Sequence, residues 1–96
     1  MRSLTTEQDF HNLDIVQVTI KDKTKKHFHR KLTECYYVLK DAIDVEVNGK
    51  KEHLDAGSLI MIYPKTIHQA WRTSRRVAEI LVICCPPWRA EDEIYD

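Results

Sequence analysis

The sequence predicts an all-β domain, an antiparallel sandwich or barrel of about eight short strands. Three observations predict it. Apolar and polar residues alternate with a period close to two along most of the chain, the pattern of half-buried strands. Turn signals such as Asn48-Gly49 and Asp55-Ala56-Gly57 interrupt these runs at intervals of roughly 8–12 residues. No segment carries a three-turn helical pattern. The only helical candidates are short, one opening at Thr5 or Thr6 and one near Ala90 to Glu93.

Ile15 to Ile20 is the first strand, followed by Lys26 to Arg30 and Glu34 to Leu39. Ile43, Val45 and Val47 then alternate with Asp44, Glu46 and Asn48, giving a strand with one wet face. Asn48-Gly49 is the favoured pair for a two-residue type I′ hairpin turn, so Lys51 to Leu54 returns beside it. Ser58 to Tyr63 is an apolar strand stopped by Pro64, which cannot donate to a ladder. Ile67 to Trp71 follows, and Arg76 to Cys85 is closed by Pro86-Pro87. In that last strand Val77, Leu81 and Ile83 fall on one face and Ala78, Ile80 and Val82 on the other, with Glu79 alone interrupting. A strand apolar on both faces needs two covers. One is the domain's own interior; the other is a second subunit in a homodimer, or the chain's own N-terminal arm.

Ninety-six residues make one domain, with a barrel over roughly 15–90, a short N-terminal arm and a C-terminal tail. Fifteen basic residues balance fifteen acidic ones, so no basic field exists to hold a nucleic-acid backbone. The basic run Lys21 to Lys31 is broken by Asp22 and reads as a solvated loop. The start, Met1-Arg2-Ser3-Leu4, has no apolar stretch of a secretory signal, and no run approaches the length of a membrane span. Cys35, Cys84 and Cys85 are an odd set with two neighbours in sequence, which argues against a disulfide framework and for a reducing, cytoplasmic setting.

The chemistry concentrates in four residues. His27-Phe28-His29 lies on a predicted strand, where residues two apart share a face about 6.6 Å apart along the chain. Two imidazoles so placed can bite one ion. Glu34 begins the next strand, expected to pair alongside them, and His68 comes from a separate strand after the Pro64-Lys65-Thr66-Ile67 turn. Three imidazole nitrogens and a carboxylate oxygen suit one divalent transition metal (Fe, Mn, Ni, Zn, Co or Cu) in an open site better than a closed structural zinc. The competing reading is a pair of surface histidines, but an inward Glu34 without a strong partner would be a costly buried charge. His11 and His53 fall in polar turns and are not enlisted.

With these residues in hand, the chain resembles a small single-domain member of the cupin superfamily. The first cupin motif runs Gly, five residues, His-x-His, three or four residues, Glu, six residues, Gly. The core of His27, His29 and Glu34 is complete, whereas the glycine positions fall on Lys21 and Asp41. The second motif runs Gly, five residues, Pro-x-Gly, two residues, His, three residues, Asn. Gly57 and His68 match it; Tyr63, Lys65 and Arg72 occupy its proline, glycine and asparagine positions, and the proline stands at Pro64. The ending Cys84-Cys85-Pro86-Pro87-Trp88 is similar to the barrel-closing strand of small cupins. The resemblance implies a double-stranded β-helix, or jelly-roll, of antiparallel strands. It also implies His27, His29, Glu34 and His68 as the metal set.

Weaker candidates surround that set. Strand parity gives Tyr36 and Val38 the face of Glu34, and Ala70 and Arg72 the face of His68. Tyr36 is a candidate donor to a metal-bound oxygen, or an ordinary barrel-lining aromatic. Arg72 is a candidate clamp for a carboxylate or phosphate, or a surface arginine beside Arg75 and Arg76. Trp71 and Trp88 read as core or interface, and Cys84 and Cys85 as packing, with at most one of them facing inward. Glu79 is the only acid inside an apolar strand, so the sequence shows no second inward acid to move protons.

Four ligands leave two adjacent positions of an octahedral ion open. The resemblance implies dioxygenase-, decarboxylase- or isomerase-like chemistry on a small oxygenated molecule, with a dioxygenase the first expectation. The alternative is a non-catalytic binding or sensing module in which the metal anchors a ligand or staples the barrel. Pocket shape discriminates the two: a cleft beside the ion favours an enzyme, a filled barrel the staple. Partners are then a small molecule and a second copy of the chain, with neither nucleic acid nor membrane.

Overall fold

The computed structural model describes residues 2–4 and 12–95. Two five-stranded antiparallel sheets face each other. The first runs β1 (Arg2–Ser3), β2 (Asp14–Ile20), β9 (Ala78–Cys85), β4 (Thr33–Lys40), β7 (Leu59–Ile62). The second runs β10 (Glu93–Tyr95), β3 (His27–His29), β8 (His68–Arg72), β5 (Ala42–Val47), β6 (Lys50–Asp55). A 3-10 turn over Ala90–Asp92 precedes β10, where a short helical turn was expected. The turn expected at Thr5 or Thr6, and His11, lie outside the described residues.

All eight expected strands are present, and among the described residues two more occur near the ends. Strands of two and three residues carry too little alternation to be read. They exist because β2 and β3 offer free edges: Arg2 pairs with Gln17, and Glu93 with His29. The expected C-terminal tail is therefore partly a strand of the second sheet. The N-terminal residues Arg2 and Ser3 pair with the chain's own β2. The hairpin between β5 and β6 turns on Asn48 and Gly49, both with positive φ (49° and 84°), as a type I′ turn requires. His53, expected in a turn, sits exposed within β6 between Asp44 and Asp55.

Alternation places Ile20, Val38, Ile43, Val45, Ile62, Ala70 and Ile80 in the space between the sheets. Each is at most 3% exposed. Burying such a side chain contributes about 1.5–3 kcal/mol, so this layer holds the two sheets together. The opposite face of the first sheet is also apolar. Its registers set Ile15 beside Ile83, Ile83 beside Cys35 and Cys35 beside Met61. A second rank runs Gln17, Leu81, Tyr37, Leu59. Within the single chain this face is only half-covered, with Leu59 57% and Met61 43% exposed. Val77, expected inside the last strand, lies just before its first residue and is 41% exposed.

Candidate metal centre

The interior closes at one end around four polar side chains. Parity turns His27 and His29 of β3 inward together, and the antiparallel register sets His68 of β8 directly opposite His27. Glu34 was expected on a strand paired with them. Instead, the Arg30–Leu32 connection crosses between the sheets, and β4 pairs with β7 and β9. The carboxylate therefore meets the three imidazoles across the sandwich rather than alongside. All four residues are buried, at 7%, 2%, 5% and 1% exposure for His27, His29, Glu34 and His68.

Glu34 Oε1 lies 3.0 Å from both His29 Nε2 and His68 Nε2. The His27 ring stands 4.3 Å from that of His68 and 5.1 Å from that of His29, centre to centre. One donor atom from each of the four lies within 4.8 Å of all the others. Backbone carbonyls orient two of the rings: His27 Nδ1 donates to Lys25 O at 2.6 Å and His68 Nδ1 to Thr66 O at 2.9 Å. Each bond consigns the proton to Nδ1 and leaves the Nε2 lone pair for the centre, the arrangement that supports ligating histidines. A third tether, from Lys65 N to His29 O at 2.6 Å, ties the turn before β8 to the end of β3.

The fit to a metal can be judged from the polar atoms themselves. His29 Nε2, His68 Nε2 and Glu34 Oε1 are buried and close together, yet none makes a hydrogen bond of acceptable geometry. Buried polar atoms without partners are costly. A cation held by all of them satisfies the set at once, and the borderline-to-hard donors suit a first-row divalent metal. Burial would raise the Glu34 carboxyl, but contact with His29 and His68 holds it at about 2. Burial would lower His29, yet the Glu34 contact raises it. His27 is lowered, chiefly by burial, and so presents a neutral imidazole.

Beside these residues lies a cavity of about 280 Å³. His27, Glu34 and Tyr36 form its floor, and Val16, Val18, Ile80 and Val82 its apolar walls. Tyr36 is buried, its ring 6.0 Å from His68, and desolvation raises its phenol further, so it keeps its proton. Cys84 is the inward one of the cysteine pair; burial raises its thiol, and Cys85 is exposed. Arg72 is not brought to the site. It is exposed at the far end of β8, its backbone N–H donating to Asp22 O, and it does not line the cavity.

Three site residues were missed. Glu93 and Tyr95 enter from β10, and Trp88, expected in core or interface, is 39% exposed and lines the cavity. Glu93 Oε1 lies 3.5 Å from His27 Nε2, so a second inward acid exists. Glu93-Ile94-Tyr95 alternates polar, apolar, polar, but three residues are too few for that to count as a signal. Trp71 belongs elsewhere, with Lys51 Nζ 4.9 Å from its ring centre.

Against known proteins, a family model described as the cupin domain matches residues 15–84. No curated protein matches significantly. Among solved structures, a protein from Planctomyces limnophilus is 25% identical, with a TM-score of 0.83 over 97% of this chain and 79% of that one. Pac13, a nucleoside dehydratase also solved from Streptomyces with uridine, is 18% identical, with a TM-score of 0.81 over 90% of this chain and 69% of its own. KdgF from Halomonas sp. is 23% identical, with a TM-score of 0.76 over 84% and 74%.

Proposed function

The chain belongs to the cupin family, and from that premise we propose that it is a metal-dependent enzyme acting on a small oxygenated molecule. His27, His29, Glu34 and His68 are its metal ligands. The observation that carries this reading is the cavity of about 280 Å³ opening directly onto His27 and Glu34. A metal that merely stapled the barrel would need no such space; ligand sites are concave, apolar and fitted with a few convergent polar groups. When bound, the metal supplies Lewis-acid polarisation of an oxygen donor, or, if redox-active, access to dioxygen chemistry.

The residues around it divide the remaining work. Val16, Val18, Ile80 and Val82 exclude water and seat an apolar body. The Tyr36 hydroxyl, kept protonated, is a donor toward a substrate oxygen. Dioxygenase-, decarboxylase- and isomerase-like reactions share this requirement for an oxygen donor at the ion, with the dioxygenase our first reading. The same fold carries a nucleoside dehydratase in Pac13, so fold alone does not choose among them.

Two further proposals complete the reading. Residues 1–96 form one domain, and it works as a homodimer through the apolar ranks on the outer face of β2, β9, β4 and β7. Three free thiols suit a reducing, cytoplasmic setting, and no helix among the described residues is long and apolar enough to cross a membrane. The balanced charge gives nucleic acid no purchase.

Elemental analysis of untagged protein purified without chelator, beside His68→Ala, tests the centre. About one ion per chain in the parent and a large loss in the variant are expected. With Fe or Mn present, oxygen consumption is then screened with small oxygenated acids. A metal-free parent that also resists reloading sinks the proposal.

A further inference from the structure

We propose that the cavity beside the metal centre continues into an anion-binding subsite built by Lys23 and Lys25, so that the molecule bound there carries a carboxylate or phosphate group. The inference deepens the reading of that cavity as the substrate site and rests on it, but its own support is separate. A second cavity, of about 420 Å³, is lined by the segment from Asp22 to Lys26 together with Gln69 and Tyr95. Thr24, Lys25 and Tyr95 line the first cavity as well, so the two spaces adjoin. Among the described residues, Lys25 is the only lysine or arginine that lines the first cavity.

The segment that carries these lysines is tied down. Thr24 N donates to Ala70 O at 2.9 Å, and Ala70 N donates back to Thr24 Oγ1 at 3.0 Å. Gln69 Nε2 donates to Thr24 O at 2.8 Å, and Arg72 N to Asp22 O at 2.8 Å. Lys23 forms a bridge with Trp71. This part of the basic run therefore lies along β8 as an extra rung, ordered before any ligand arrives. Lys25 is oriented from both ends. Its carbonyl accepts from His27 Nδ1 at 2.6 Å, and its ammonium stands 5.2 Å from the centre of the Tyr95 ring.

Charge decides what fits. The acids lining the first cavity are Asp14, Glu34 and Glu93, and a divalent ion at the centre offsets two of those charges. The second cavity is the basic end of the same space, with Lys23, Lys25 and Lys26 against Asp22. A cleft lined by one sign of charge concentrates the opposite sign. A ligand that offers an oxygen to the centre and is anionic at its other end matches both cavities. Arg72, the expected clamp for such a group, stands outside the first cavity, and the segment after β2 takes its place.

The experiment titrates inorganic phosphate and, separately, succinate into the chelator-stripped full chain at low salt, following the backbone amides by NMR. At least one of the two is expected to give saturable shifts centred on residues 23–26 and Tyr95, with a Kd on the order of 1 mM. The Lys23→Gln/Lys25→Gln double variant is expected to bind at least about threefold more weakly. Lys50→Gln, on β6 at the opposite edge of that sheet from β10, is expected to match the parent. The tighter of the two anions names the group. No saturable shift at these residues overturns the subsite, and so does an equal weakening in Lys50→Gln, which would mark a general charge effect. Metal uptake is read on the same preparations. Anion binding without metal uptake upholds the subsite while the metal centre falls, and metal uptake without anion binding does the reverse.

Discussion

Acidifying the metal-free chain from pH 5.5 to pH 3 is expected to remove about 2 kcal/mol of stability through Glu34 alone. Its carboxyl is held at about 2 against an ordinary 4.5, despite a burial that pushes the other way. A carboxylate whose pKa is depressed by folding contributes stability that is present above its unfolded value and lost as pH falls through its folded one. At about 1.36 kcal/mol per unit, the full contribution is about 3 kcal/mol. At pH 3 the unfolded carboxyl is almost wholly protonated while the folded one is still mostly ionised, and about 1 kcal/mol remains. His29 sets the other limb. Its raised pKa contributes stability present below 6.5 and lost as pH rises through the higher folded value. The Glu34–His29 contact enters both shifts and is counted once, while His68 adds to the Glu34 shift alone, so the joint contribution peaks between pH 5 and 6. Urea unfolding followed by tryptophan fluorescence, on chelator-treated parent and Glu34→Gln, reads the difference. Other carboxylates titrate alike in both proteins and cancel. If parent and variant lose the same stability between pH 5.5 and pH 3, the proposed Glu34–imidazole contact is refuted.

Lys65 has a φ of 64°, a left-handed conformation that costs an L-residue about 1–2 kcal/mol. Lys65→Gly relieves this and gives back about 0.5–1 kcal/mol of chain entropy, so a net gain of about 0.5–1 kcal/mol and a Tm higher by a few degrees is expected; a Tm that falls would show that the side chain itself holds the turn. Sedimentation at micromolar concentration should give twice the 11.4 kDa chain mass, and Leu81→Lys, at the centre of the outward apolar ranks, should give a monomer with unchanged metal content. A monomeric parent excludes the dimer.

Much of the site was legible because strand parity needs few residues to act. His27 and His29 are two apart on one strand, so their shared face followed from the pleat alone. The grouping of His27, His29, Glu34 and His68 was likewise legible because each stands on a strand long enough, or bounded well enough, to be seen. The family resemblance placed glycines at 41 and 65, and the sequence has Asp41 and Lys65. Both keep positive φ (62° and 64°), so the turns outlasted the residue that makes them cheap. What stayed hidden was tertiary. Nothing local says that β4 leaves β3 for the other sheet, which turns Glu34 from a neighbour into an opposing group. Parity gave Arg72 the right face but not the right end: four residues from His68, a strand has carried it out of the cavity. Glu93 was hidden because β10 exists only through its partner; three residues have no period of their own.

The position of β9 has a consequence for how this chain is made. It lies between β2 and β4, and every residue of β2 pairs with it, Asp14 with Cys84 through Ile20 with Ala78. A ribosome delivers the N-terminal strands first. Until Ala78–Cys85 emerges, β2 and β4 each present an unpaired edge bearing apolar side chains, the kind of edge that recruits other chains. The second sheet closes its gap sooner, since β8 is made before β9 and can dock between β5 and β3. Half of the protein therefore spends most of its synthesis as a template without its complement. Slow translation through residues 64–77 should prolong that exposure, and chaperones that bind extended apolar strands should engage the nascent chain there and release it once β9 has entered the sheet.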